Sequence, residues 1–225
     1  MTKLDTTADI SADTTAAAQA PSGPFISRLT LWTAGIFLGV ALLALGAWWF
    51  APREFHGVLL QSPRVAEDFT LTASTGEPLA LSDLRGKYVL LYFGYTFCPD
   101  VCPTTLTDLK GMAQLLGPEQ MKRVQVVFVT VDPERDTAEQ LASYLKYFDP
   151  SFVGLTGTVD EINAVASRFG VYFERHEGSA ATGYLVDHTS AITIIDAKGY
   201  VRLVFPHGTT PADMAADLAY LLRRG

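Results

Sequence analysis

Cysteine is scarce: the 225 residues hold two, beside four histidines and four methionines. Two thiols cannot build a disulfide framework, and one small loop closed between them adds little to a chain long enough for an ample core. Basic runs are also missing. The 17 Lys and Arg face 24 Asp and Glu, a net charge of −7, and without a basic patch nucleic acid is excluded as a partner, because phosphate binding requires one. The first 24 residues contain Lys3 against Asp5, Asp9 and Asp13, and no arginine. They lack the Arg-rich, acid-poor character of a mitochondrial transit peptide, which points to a bacterium. No internal repeat or low-complexity tract interrupts the second half of the chain, so one globular domain is expected.

What the sequence does have is one long apolar run. Residues 29–51 carry no charged side chain and as a helix would rise roughly 34 Å, enough for a hydrocarbon core of roughly 30 Å. The run closes on Trp48-Trp49-Phe50 rather than on a small-residue cleavage site, so a retained single-pass anchor is expected rather than a cleaved signal peptide. The organisation read from this is a disordered tail over 1–28, a transmembrane anchor over 29–51, a linker over 52–67 containing Pro52 and Pro63, and a domain over 68–225. Charge does not orient the anchor, since Lys3 and Arg28 on one side face Arg53 and Arg64 on the other. Gly35 and Gly39 have the spacing of a helix-packing motif, a weak signal alone.

Within the domain, Phe69 to Thr72 alternate as a strand, a turn follows at Gly76, and 79–81 pair back. Residues 88–93 form an apolar run expected of a central strand covered on both faces, ending at Gly94. A helix with Pro103 at its first position and an apolar face of Leu106, Leu109, Leu115 and Leu116 is expected to stop at Gly117-Pro118. A second buried strand spans 124–131, helices span 137–148 and 160–169, and strands span 191–195 and 200–205. The last helix has Thr210 as its cap, Pro211 at its first position and a stripe of Met214, Leu218, Leu221 and Leu222. Strands alternating with helices in this order predict an α/β fold with a mixed sheet flanked by helices.

Both cysteines lie in Phe97-Cys98-Pro99-Asp100-Val101-Cys102-Pro103, between a buried strand and a helix start. Ligands collect at such strand ends, and the partial positive charge of a helix N-terminus favours thiolate over thiol. Two sulfurs of low pKa are therefore expected. Three residues separate them, where thioredoxin-type oxidoreductases carry two, and the wider loop suits a metal chelate. Thiolates select soft ions, Cu(I) or Zn(II). The third donor is expected to be His188, in Asp187-His188-Thr189 ahead of the strand at 191–195, because in a thioredoxin-like sheet the loop entering that strand faces the cysteine loop. A Cys2His set is one ligand short of structural zinc and fits Cu(I). Asp187 is a candidate to orient His188, and Asp132 either a group behind the ligands, a weak oxygen ligand for Cu(II), or simply a helix cap and surface ion-pair partner of Arg135. His56, His176 and His207 read as bystanders.

The stretches Cys98-Pro-Asp-Val-Cys102-Pro-Thr-Thr-Leu106, Val131-Asp-Pro-Glu-Arg-Asp-Thr137, Phe152-Val-Gly-Leu-Thr-Gly157 and Asp187-His188-Thr189 resemble the Sco/SenC family of cytochrome c oxidase assembly factors over residues 63–224. The resemblance implies a thioredoxin-like fold and copper, as Cu(I) with Cu(II) as a second state, held by Cys98, Cys102 and His188. It implies delivery to the copper A-bearing subunit of cytochrome c oxidase, with other copper chaperones and thiol reductases as further partners. It also implies a bacterial inner-membrane protein with the tail in the cytoplasm and the domain on the periplasmic or extracytoplasmic side. Thr189-Ser190 stands where thioredoxins carry a cis-proline. The rival reading is a membrane-anchored thiol-disulfide oxidoreductase, in which Cys98 attacks and Cys102 resolves; a peroxidase is favoured only by the shared fold.

Overall fold

The computed structural model describes residues 28–50, 54–178 and 183–224, with side chains in the first stretch described over 31–46. The chain divides into two units, Met1–Arg53 and Glu54–Gly225. The first contains helix α1, Arg28–Phe50, whose described side chains from 31 to 45 are exposed, Trp32 at 73% and Phe37 at 76% among them. The expected membrane-spanning segment is not borne out: among the described residues no helix is long and apolar enough to cross a membrane. The stretch with described side chains, 31–46, rises only about 24 Å against a core of roughly 30 Å. The expected tail lies outside the described residues, apart from Arg28.

The second unit is built on an eight-stranded mixed sheet. At its centre β4, Tyr88–Gly94, is buried along its whole length, which the run Tyr-Val-Leu-Leu-Tyr-Phe requires of a strand with both faces covered. It runs parallel to β5, Val124–Thr130, which is parallel to β6, Val153–Thr156. Two antiparallel strands extend that side, β2 at Thr70–Ala73 and β3 at Pro78–Ala80. On the other side β4 pairs antiparallel with β9, Ile192–Ile195, and β9 with β10, Tyr200–Phe205. Helix α2, Val101–Met121, packs against α5, Pro211–Arg224, with Gly111 admitting Pro211 at close range. Helix α3, Ala138–Lys146, lies on β6, where Gly154 leaves room for Leu141. Helix α4, Val159–Arg168, starts from a capping box between Thr158 and Glu161.

The helix ends follow their sequence signals. Thr137 accepts from the Gln140 amide at the start of α3, and Thr210 accepts from the Asp213 amide ahead of Pro211. Gly117 breaks α2 with φ of 76°, a conformation that glycine adopts without strain. One expected core position fails: Leu115 is 62% exposed, since it falls one residue off the stripe formed by Leu106, Leu109, Met112, Ala113 and Leu116.

The stretch expected as a linker contains a strand. β1, Val58–Val65, pairs antiparallel with β10 at the sheet edge, with its register shifted between Leu59 and Arg64. Pro63 is tolerated because an edge strand has one unpaired side. Asp217 on α5, fully buried, accepts from the His56 and Gly57 amides at 2.8 and 3.1 Å and lies 3.1 Å from His56 Nδ1. His56, expected as a bystander, thus joins the chain's entry to the C-terminal helix. A further pair missed in the sequence, β7 at Phe173–Glu177 and β8 at Tyr184–His188, forms a separate antiparallel ribbon.

Candidate metal centre

Three strands meet the cysteine loop. β4 delivers it at Gly94, β5 runs alongside, and β8 brings His188 from the ribbon. The loop turns through a bond from the Cys98 amide to the Tyr95 carbonyl, 3.3 Å, and enters α2 so that Cys102 is its second residue. Asp136, fully buried, pins the loop from behind. Its carboxylate accepts from the Thr96 amide at 2.9 Å, the Thr96 hydroxyl at 2.6 Å and the Thr130 hydroxyl at 2.7 Å. Burial nevertheless pushes the Asp136 carboxyl upward, against those three donors.

Cys98, Cys102 and His188 each offer a donor atom, and the three atoms lie within 4.8 Å of one another. Neither cysteine is in a disulfide; Cys98 is partly exposed and Cys102 is buried. The Cys102 amide donates to Cys98 Sγ at 3.4 Å, and Cys102 Sγ lies 3.2 Å from His188 Nε2. The other ring nitrogen, Nδ1, lies 3.2 Å from the Thr189 carbonyl. A carbonyl only accepts, so Nδ1 carries a proton, and in the neutral ring Nε2, on the side of the sulfurs, is the nitrogen with a lone pair to give a metal. Edge-on contacts from Tyr92 and Tyr95, with centroids at 6.2 and 6.0 Å, hold the imidazole.

The two thiols do not share the low pKa expected of them. The Cys102 thiol donates to Cys98, and with smaller help from His188 and the Asp100 and Cys102 amides this lowers Cys98 to about 3 despite burial. Cys102 is driven the other way, first by Cys98's hold on its proton, then by burial and by the negative charge beside it. The helix N-terminus reaches both, but one proton between two sulfurs can leave only one of them a thiolate. The metal-free pair is therefore a Cys98 thiolate and a buried Cys102 thiol.

Asp132 does not join the donor cluster. It is 4% exposed, is ion-paired with Arg135 Nε and accepts from the Tyr184 hydroxyl at 2.7 Å. Asp187 does not orient His188 either: it is exposed and pairs with His176 at 3.2 Å across the ribbon. Sequence reasoning missed Tyr184, Tyr92, Tyr95 and Asp136. The Asp132–Arg135 spacing was readable, but nothing local links residue 132 to residue 184. A shallow cavity of about 290 Å³ opens over Cys98, bordered by Tyr95, Pro99, Leu185, His188 and Ser190.

Comparison with known proteins fits this geometry. A SCO2-like protein of Rickettsia conorii is 37% identical over 152 residues, which is 67% of this chain and 74% of the relative. Among solved structures, apo Sco1 of Thermus thermophilus matches with a TM-score of 0.68 at 40% identity, covering 76% of this chain and 99% of that one. Bradyrhizobium japonicum ScoI, solved with copper bound, matches at 0.63 with 37% identity, covering 70% and 99%. A thioredoxin domain of a Bacteroides vulgatus thiol-disulfide oxidoreductase, at 16% identity and 0.50, carries the fold alone and identifies it as thioredoxin-like. Across eight of the curated relatives the chain spans 48% to 74% of their length. The SCO1/SenC profile covers residues 58–223, from the edge strand through the last helix and with both cysteines and His188 inside it, and the chain belongs to that family.

Proposed function

We propose that this chain is a copper metallochaperone that takes up Cu(I) on Cys98, Cys102 and His188 and delivers it to the binuclear copper A centre of a cytochrome c oxidase subunit. The observation that carries the reading is the convergence of two sulfurs and an imidazole nitrogen within 4.8 Å. Two soft thiolates and one nitrogen suit Cu(I) and leave the shell of structural zinc incomplete. Relatives solved with copper bound support the choice of ion. Because Cys98 is partly exposed and Cys102 is buried, an acceptor's ligand meets Cys98 first. Release then proceeds from the outer sulfur inward, with no bond in a substrate made or broken.

Membrane association on the extracytoplasmic side belongs to the same proposal. A SCO1/SenC family lipoprotein of Bacillus anthracis is among the similar structures, and the exposed apolar side chains of α1 give this chain its own means of attachment.

The test is a chelator competition for Cu(I) with the reduced protein, followed by transfer to a metal-free copper A domain. Cys98→Ser, Cys102→Ser and His188→Ala are each expected to weaken binding by at least about tenfold, the scale on which metal sites respond to lost support. Wild-type affinity in His188→Ala removes that ligand. A second reading has its own observation: an accessible thiolate beside a protonated partner is also the resting state of a disulfide reductase. Reduction of an oxidised copper A cysteine pair by copper-free protein, undiminished in His188→Ala, would favour that role.

A further inference from the structure

His188 is not carried by the main sheet. It ends β8 in the two-stranded ribbon, so its distance from the sulfurs depends on whatever ties that ribbon to the rest of the domain. The tie gathers at Tyr184, the first residue of β8. Its hydroxyl donates to Asp132 Oδ1 at 2.7 Å, and its carbonyl accepts from Arg135 Nη1 at 3.2 Å. Its ring lies between two guanidinium groups, Arg135 at 3.7 Å and Arg175 at 3.4 Å. Arg175, on β7, reaches Glu134 at 2.8 Å. The loop leaving β5 therefore grips both strands of the ribbon. At mid-strand the Val186 amide donates to the Tyr95 hydroxyl at 3.3 Å, and the Tyr95 ring meets His188.

A buried ion pair adds little net stability, because desolvation offsets its attraction. The exposed Arg175–Glu134 pair adds little as well. Arg135 Nη2 has no hydrogen-bond partner among the described residues, but the bonds that Arg135 Nε, Arg135 Nη1 and the Tyr184 hydroxyl do make hold the start of β8 in one geometry. The four residue-to-residue steps from Tyr184 to His188 in extended chain span roughly 13 Å, so Asp132 acts on the site through the strand and not at the ion. We infer that Asp132, Arg135 and Tyr184 form a clasp that positions His188 over the two sulfurs, so that a carboxylate outside the ligand cluster sets the occupancy of the third ligand. This rests on the copper-ligand reading above, and all three are positioning residues.

Tyr184→Phe removes the hydroxyl while its ring stays between the guanidinium groups. In the full-length reduced protein, Cu(I) competition is expected to show about a tenfold loss of affinity for Tyr184→Phe and no further loss when His188→Ala is already present. Asp132→Asn, which keeps an oxygen acceptor for the phenol, is expected to retain more affinity than Asp132→Ala. Equal losses with and without His188, or no loss in either background, would overturn the clasp. A readout without copper keeps the two ideas separate: amide exchange of residues 185–188 in metal-free protein is expected to quicken in Tyr184→Phe while exchange in β4 and β5 is unchanged. Unchanged exchange at 185–188 overturns the clasp even if the wild-type protein binds no copper, a result that would itself sink the copper reading.

Discussion

At the residue scale, the site is organised by a single proton. Cys98 is a thiolate above about 3, while Cys102 holds its proton well past the ordinary thiol range. Copper demands both sulfurs deprotonated, so uptake must expel the Cys102 proton. Copper binding at pH 7 is expected to release about one proton per ion, and affinity is expected to rise about tenfold per pH unit between roughly pH 7 and pH 8. Proton release measured in weak buffer checks this; release of two protons would mean that Cys98 is a thiol in the free protein. The sequence could place both sulfurs at a helix start and could pair them with His188. It could not show that they compete for one proton, because that depends on the approach of Cys102 to Cys98 across a turn, nor that Asp187 would reach His176 instead of His188.

At the scale of elements, glycine and a buried carboxylate do much of the placing. A β-carbon at Gly94 would stand 2.8 Å from Phe128 and 2.9 Å from Cys102 Sγ. Gly94→Ala must therefore push the sulfur or the ring aside, at a cost of about 1–3 kcal/mol, and Cu(I) affinity is expected to fall with it. A variant with both stability and affinity intact would show that this approach is not tight. At the other end of the fold, Asp217→Ala leaves the His56 and Gly57 amides without their acceptor. Denaturant unfolding is expected to show a loss of about 1–3 kcal/mol with copper affinity unchanged. The strongly patterned elements, β4, β5 and α2–α5, were legible because apolar period and capping residues agreed. β1 was not, since Pro63 and its exposed side chains look like a linker unless β10 is known to lie alongside. β7, Phe-Glu-Arg-His-Glu, shows no buried alternation at all; it exists because β8 pairs with it.

At the scale of the whole molecule, the chain divides at Arg53 into two units, and the chemistry lies in the second. Every residue of the donor cluster and of the Tyr184 clasp lies in Glu54–Gly225. A protein starting at Glu54 is expected to fold, bind Cu(I) with the affinity of the full chain and remain in the soluble fraction, whereas the full chain is expected to sediment with membranes. Recovery of the full chain in the soluble fraction would separate α1 from membrane attachment. The central claim concerns three atoms, and X-ray absorption at the copper edge of the Cu(I)-loaded reduced protein addresses them directly. The account predicts two sulfur neighbours and one nitrogen, with the nitrogen lost in His188→Ala; a spectrum of sulfur alone, or one unchanged by that substitution, would contradict it.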